Sequence, residues 1–279
     1  MKELIIDSLV DTLKILPYLF ITFLILEFIE HKFSHKSSDI LSKNKKFGPI
    51  IGGILGGIPQ CGFSVAASRI FSSKIITIGT LISVYLATSD EMLPIMLSEK
   101  VDFLLIISII GFKVLVGIIV GILVDLIYKK RNKSNVDIND ICHEEHCDCD
   151  SKGIIYSSVK HTLKIFLFIL LANLIIGFVI ETVGSDTLSN ILLGKNILTY
   201  FGASLIGLIP NCASSVLITK LYISGLITVG TMLSGLLTGS GLGILILFKD
   251  NKNMKENIMI LSIIYLVGVL VGILVDLII

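Results

Sequence analysis

Two short segments of the sequence, 151 positions apart, each combine a proline, an amide side chain, a cysteine and a following serine. Their members are Pro59, Gln60, Cys61 and Ser64 in the first, and Pro210, Asn211, Cys212 and Ser215 in the second. Amide and hydroxyl oxygens are hard ligands and thiols are soft ones, so these groups predict a substrate-binding site for an ion. The alternative is that small residues let helices pack closely, with cysteine as an apolar filler.

Two carboxylates, Asp90 and Glu91, stand inside a long apolar run at 75–97. They have no counterpart 151 positions later, where Gly241 and Leu242 occur. Carboxylates within a membrane span are costly and usually line a cavity or pathway, so this pair is predicted to bind a cation or to carry a coupled proton. The alternative is a position close enough to the membrane interface, just before Pro94, to be solvated.

A third group of chemical side chains falls in a polar stretch in the middle of the chain. Five thiol and imidazole groups lie within eight positions: Cys142, His143, His146, Cys147 and Cys149. Such density predicts binding of zinc-like or softer ions, as a sensor or collecting arm rather than as the transport site. A merely acidic, solvated linker would explain the neighbouring Asp and Glu residues but not the Cys and His residues.

Composition and apolar patterning place these groups in a membrane protein. The chain has 279 residues, 53% of them hydrophobic and 16% charged, with a mean hydropathy of +0.92. Apolar runs of nearly membrane-spanning length occur within 1–30, 75–97, 103–128, 165–180, 221–248 and 258–279. The net charge of +1 gives no reason to expect nucleic acid. No Walker loop or dinucleotide fingerprint occurs, so neither an ATP-driven engine nor a cofactor is expected.

The sequence repeats itself at a constant offset. FSSKIITIGTLISVYLATS at 71–89 aligns without gaps on YISGLITVGTMLSGLLTGS at 222–240, and the two proline segments match at the same offset of 151. A fixed offset carried through Pro, Cys, Ser and Asp indicates duplication. We therefore predict a first membrane repeat at 1–128, a cytoplasmic His/Cys-rich linker at 129–154 and a second membrane repeat at 155–279.

The proline segments decide how each repeat crosses the bilayer. Proline interrupts a helix, so 50–71 and 201–222 each become two arms, either one broken span or a re-entrant hairpin. Broken spans divide the loop Lys and Arg residues ten to ten between the two sides, whereas hairpins divide them sixteen to four. Cytoplasmic loops are rich in Lys and Arg, which favours hairpins. The predicted fold is thus all-α: two inverted repeats, each with three spanning helices and one re-entrant or broken hairpin.

With its repeat, its paired Pro-x-Cys tips and its Cys/His-rich linker, the whole chain resembles a family of ten-transmembrane heavy-metal exporters, whose members are labelled arsenic efflux proteins or manganese transporters. It is also distantly similar to organoarsenical efflux permeases. Those permeases typically show a Cys-Ser-Cys pattern, whereas each tip here has one thiol, so capture of As(III) by three thiolates at the tips alone is not expected.

The function expected from these features is secondary efflux of a heavy-metal or metalloid ion, arsenite-like or Mn(II), by alternating access around the tips. The chain would lie in the cell membrane with both termini outside and the linker in the cytoplasm. Its partners would be the transported ion, the lipid bilayer and a coupled proton, and the sequence leaves the oligomeric state open. The alternatives are an intramembrane enzyme of the lipid-phosphatase type, or a channel or metal-sensing scaffold. The enzyme would need an Arg or Ser facing a phosphate, and the sequence has only two arginines.

Overall fold

The computed structural model describes residues 47–58, 61–89, 92–128 and 197–278, with single helical positions between 10 and 20 and between 159 and 174. Within these ranges the side chains at 61, 62, 94, 98, 212 and 213 are left undescribed. The described part of the chain contains helices, turns and short links but no strand. An all-helical fold is therefore confirmed for it.

In the ranges that the structure describes, ten helices follow one another in two equivalent sets. The first half contributes α1 (Gly48–Gly56), α2 (Cys61–Ser72), α3 (Ile78–Ala87), α4 (Met92–Ser98) and α5 (Phe103–Tyr128). The second half contributes α6 (Leu198–Gly207), α7 (Cys212–Ile223), α8 (Val229–Thr238), α9 (Gly243–Asp250) and α10 (Met254–Ile278). The helices α7 to α10 each begin 151 positions after their counterparts α2 to α5, so the offset in the sequence is also an offset between helices.

Three stretches of the described chain are long and apolar enough to cross a membrane: Phe103–Tyr128, Val229–Asp250 and Met254–Ile278. Only 22% and 28% of the most apolar windows of α5 and α10 are buried, whereas 78% of the window in Val229–Asp250 is buried. Since exposed apolar side chains on such helices suit lipid contact, α5 and α10 form the outer layer. The stretch formed by α8 and α9 lies inside, as does α3, all of whose residues are buried.

A carboxylate near the end of α5 holds the beginning of α3. Asp125 accepts hydrogen bonds from the Thr77 hydroxyl at 2.6 Å and from the Gly79 amide at 2.9 Å. Thr77 is also the N-cap of α3, because its hydroxyl oxygen accepts from the Thr80 amide at 3.1 Å. Amides in the first turn of a helix have no partner within the helix, so these hydrogen bonds pair groups that burial would otherwise leave unpaired. We call this arrangement of Asp125, Thr77 and Gly79 a clasp.

The second half repeats the clasp. Asp276 of α10 accepts from the Thr228 hydroxyl and, at 2.8 Å, from the Gly230 amide. Tyr200 of α6 adds a third donor, its hydroxyl lying 2.8 Å from the same carboxylate. Asp125 and Asp276, which lie 151 positions apart, thus stabilise equivalent helix junctions.

The two halves share one interior. Buried side chains of α3, among them Leu81 and Tyr85, pack in a cluster that also contains Leu247 of α9 and Ile260 and Ile264 of α10. Contacts between the halves pair equivalent helices crosswise: α2 packs against α9, and α7 packs against α4. The helices α2, α4, α7 and α9 therefore take part in the contact between the halves.

Candidate functional site

The apolar run that follows each proline segment consists of two helices rather than one. In the first half α3 ends at Ala87 and α4 begins at Met92, and in the second half α8 ends at Thr238 and α9 begins at Gly243. The sequence analysis treated 75–97 and 221–248 as uninterrupted runs, so it missed both breaks. The local signal was present, because Thr88-Ser89 and Gly239-Ser240-Gly241 are poor helix formers in the middle of a span. Each break leaves main-chain carbonyls without helical partners.

A small cavity lies between these two breaks. Its empty space is about 300 Å³ including its open mouth, and its enclosed part has room for about one water-sized group. The lining residues are Thr88, Ser89, Met92 and Lys113 of the first half, and Asn211, Ser214, Ser215, Leu236, Gly239 and Gly241 of the second. Both halves therefore contribute to this cavity, and each adds polar side chains to its lining.

Among the described residues that line this cavity, the charged side chain is that of Lys113, in the middle of α5. It is only 1% exposed, and its ammonium group donates a hydrogen bond to the main-chain oxygen of Thr88 at the first break. An ionisable group inside a span almost always faces the bundle interior or a water-filled cavity, as this one does. The sequence analysis did not select Lys113, although a lysine ten residues into a 26-residue apolar helix was a visible signal. Its counterpart in α10 is Ile264, so the charge is present in one half only.

Two of the substrate-binding candidates from the second proline segment, Asn211 and Ser215, line the cavity. The chain leaves helix α6 after Gly207, turns through Pro210 and Asn211, and enters α7 at Cys212. Ser214, which the sequence analysis did not select, also lines the cavity and donates to the Asn211 oxygen at 2.8 Å. The Cys212 side chain is outside the described atoms.

The first proline segment is seen only in part. Ser64 is fully buried, but it packs against α9: a Cβ added at Gly243 would lie 2.8 Å from the Ser64 main-chain oxygen. Ser64 is not among the residues that line the cavity. The helix α2 begins at Cys61, whose side chain is undescribed, and Pro59 and Gln60 fall in the gap before it.

The remaining predicted site residues lie outside the described residues. They are Asp90 and Glu91, in the gap between two cavity-lining residues, and the linker group Cys142, His143, His146, Cys147 and Cys149. Within the described ranges, no group of three or more His, Cys, Asp or Glu side chains comes together. The structure therefore does not test these predictions.

A buried hydroxyl in the second break has no bonding partner among the described atoms. The Ser240 side chain is fully buried and its oxygen makes no hydrogen bond, while its neighbours Gly239 and Gly241 line the cavity. An unpaired buried polar group costs roughly 1–3 kcal/mol, so such groups are commonly found where water or a ligand binds.

The chemistry available at the cavity is that of a polar solvation site. Hydroxyl groups, an amide side chain and an ammonium group are able to replace water around a dehydrated solute. The described lining residues include both hydrogen-bond donors and hydrogen-bond acceptors, but no carboxylate and no thiol. Such a lining orients and holds a small polar solute, and it shows no nucleophile paired with a base.

Comparison with known proteins gives one finding. Residues 1–203 match the model of a family described as "Putative, 10TM heavy-metal exporter". No curated protein and no solved structure matches the chain. The match covers more than half of the 279 residues, including the first half of the structure and most of α6. The chain therefore belongs to this family of ten-transmembrane heavy-metal exporters.

Proposed function

We propose that this protein is a secondary exporter that binds a heavy-metal or metalloid ion in the cavity between its two halves and releases it by alternating access. The observation that carries the proposal is the cavity itself. It lies between the two helix breaks, is lined by both halves, and has polar side chains from each half in its lining. Broken helices and repeat interfaces are where secondary transporters bind their substrates. The family to which the chain belongs supports export as the direction.

The two repeats are proposed to have opposite orientations in the cell membrane. Re-entrant hairpins at 50–71 and 201–222 would give each repeat three crossings, with both termini outside and the linker in the cytoplasm. The excess of Lys and Arg on one side supports this arrangement. The ends of α1 at Gly56 and of α6 at Gly207 are compatible with either hairpins or broken spans.

The substrate is proposed to be an arsenite-like ion or Mn(II). Hydroxyl and amide groups, together with Lys113, suit a hydroxylated metalloid that donates and accepts hydrogen bonds. Mn(II) prefers carboxylate and carbonyl oxygens, so it would depend on Asp90 and Glu91, which would also be able to carry a coupled proton. Softer ions would depend on Cys61 and Cys212.

The linker at 129–154 is proposed to collect or sense the ion on the cytoplasmic side before transport. The density of thiol and imidazole groups at 142–149 supports this role. Replacing all five of those Cys and His residues by Ser should raise the ion concentration needed for half-maximal flux and leave the maximal rate unchanged. A lowered maximal rate at saturating ion would instead place them in the transport path.

The deciding experiment is ion accumulation in everted membrane vesicles that contain the full chain, measured for Mn(II), Zn(II) and arsenite. We expect accumulation of at least one ion, and a roughly tenfold or greater loss in Asn211→Leu, the loss expected when about 1.4 kcal/mol of binding is removed. Ser108→Ala is the matched control, because that hydroxyl is exposed on α5 and donates only to the Leu104 oxygen in its own helix. This control should accumulate the ion normally.

The same assay separates the candidate ligands. Loss of arsenite or Zn(II) accumulation in Cys61→Ala/Cys212→Ala would place the thiols in the transport site. Mn(II) accumulation that survives this variant but is lost in Asp90→Asn would place the site at the carboxylates. Accumulation of no ion would contradict the proposal, and uptake that persists without any gradient would indicate a channel.

A further inference from the structure

An ion pair joins the two halves at the end of α2. Arg69 lies 3.6 Å from the Asp250 carboxylate at the end of α9, and both side chains are largely buried. One residue earlier, the Ser68 hydroxyl donates to the main-chain oxygen of Gly243 at 2.8 Å and lies 2.6 Å from the Tyr85 hydroxyl. Hydrogen bonds and opposite charges thus stabilise the contact between α2 and α9.

The equivalent contact in the other half has the same charges but no ion pair. The position equivalent to Arg69 is Lys220 on α7, and the position equivalent to Asp250 is Glu99, just after α4. Both of these side chains are exposed, and no ion pair between them occurs within the described structure. The helices α7 and α4 do pack against each other, so the two charges lie at the ends of neighbouring helices.

The neighbouring polar groups are not repeated in the same way. Tyr85 corresponds to Leu236, and Lys100, which follows Glu99, corresponds to Asn251. The basic and acidic positions nevertheless keep their sign in both copies, although one pair is formed and the other is not. A charge pattern retained without a contact indicates that the contact belongs to another state of the molecule.

The cavity lies on the side of the unformed pair. Met92 of α4 and Ser214 and Ser215 of α7 line it, whereas on the other side Gly243 of α9 fits directly against Ser64 of α2. The structure is therefore asymmetric: α2 and α9 are tightly joined, and α7 and α4 leave space between them.

We propose that Arg69–Asp250 and Lys220–Glu99 are alternating gates, one formed while the other is open. This inference rests on the proposed transport function, and it identifies the residues whose ion pairs would form and break in turn. In the proposed topology, Arg69 and Asp250 lie on the cytoplasmic side and Lys220 and Glu99 on the outer side, so this structure is closed inside and open outside.

Hydrogen exchange of the full chain in lipid nanodiscs tests the gates without any ion. In the unmodified protein, exchange in the second half of α2 should be slower than in the second half of α7. Arg69→Glu should speed exchange in α2 and slow exchange in α7, each by roughly twofold or more, because opening one gate favours closure of the other. Lys255→Glu reverses an exposed charge at the start of α10 and should change neither helix.

Ion flux provides a second and separate readout. Glu99→Lys should lower flux, and the swapped double variant Glu99→Lys/Lys220→Glu should restore it, because the ion pair is re-formed with reversed signs. Faster exchange in α2 with no slowing in α7 would overturn the proposal, as would a swapped variant that transports no better than Glu99→Lys. If no ion is transported by any variant, the proposed function fails, and the exchange result alone decides whether the gates alternate.

Discussion

Lys113 brings a positive charge to a depth where almost every other side chain of α5 is apolar. Its ammonium group is held at the first helix break by the Thr88 carbonyl oxygen. A charge buried at such a position is costly and is normally kept for a pathway or site. In the second half the equivalent position is occupied by Ile264, which shows that the packing of this fold does not itself require a lysine.

Replacing Lys113 by isoleucine, the residue of the other half, tests this interpretation. We expect flux to fall roughly tenfold or more, because the only charge among the described lining residues is removed, equivalent to at least about 1.4 kcal/mol of binding. The variant should remain monodisperse on gel filtration and keep its thermal unfolding midpoint within a few degrees. Normal flux in Lys113→Ile, or a flux loss explained entirely by unfolding, would assign Lys113 to packing. Ile264→Val is the matched control and should transport normally.

At the scale of the elements, the clasps explain why α3 and α8 begin where they do. Asp125 and Asp276 each bind the Thr hydroxyl and the Gly amide of a helix N-terminus. The glycine is needed because the helices approach closely there: a Cβ at Gly79 would overlap the Gly121 oxygen and the Asp125 carboxylate. These junctions position the two breaks relative to the outer helices.

Gly79→Ala should therefore destabilise the protein by about 1–3 kcal/mol, the usual cost of overpacking. The control is Gly111→Ala in α5, where an added Cβ would meet no atom within 4 Å. Alanine is favoured over glycine in a helix by up to about 1 kcal/mol, so this control should be unchanged or more stable. Thermal unfolding in detergent measures both variants. Equal stability of Gly79→Ala and Gly111→Ala would show that the close approach of α3 and α5 is not a constraint.

At the scale of the whole molecule, duplication has produced two sets of equivalent helices that share one interior. The helices that follow the two proline segments pack against the other half, α2 on α9 and α7 on α4. A solute between the halves is therefore surrounded by contributions from both copies. Relative movement of the copies would change its access to either side, as alternating access requires.

The orientation of the copies is open to a direct test. Tags beside residues 1 and 279 should be cleaved by an added protease on intact spheroplasts, and a tag in the linker only after the membrane is permeabilised. This outcome follows from three crossings per half and from the Lys and Arg excess on the linker side. Cleavage of all three tags from the same side would indicate four crossings per half. The description of the cavity and of the clasps would stay unchanged.

Much of this molecule could be predicted from the sequence because the signals are local. Apolar runs specify spans, and proline ends a helix wherever it occurs, so the arms on either side of Pro210 were foreseen. The match of 71–89 to 222–240 predicted two equivalent sets of helices. The breaks after Ala87 and Thr238 were missed because small and hydroxyl residues are also common inside spanning helices, where they serve packing.

By itself, then, the sequence determined the membrane class and the repeat at an offset of 151, and it proposed Asn211 and Ser215 as substrate-binding residues. Tertiary structure alone decided that Lys113 reaches Thr88, that Ser64 packs on Gly243, and that only one of two equivalent charge pairs is formed. The physical reason is that a repeated sequence encodes the same local structure twice. Contacts between the copies depend on side chains distant in sequence, so the difference between the two sides of the cavity arises only when the halves are packed together.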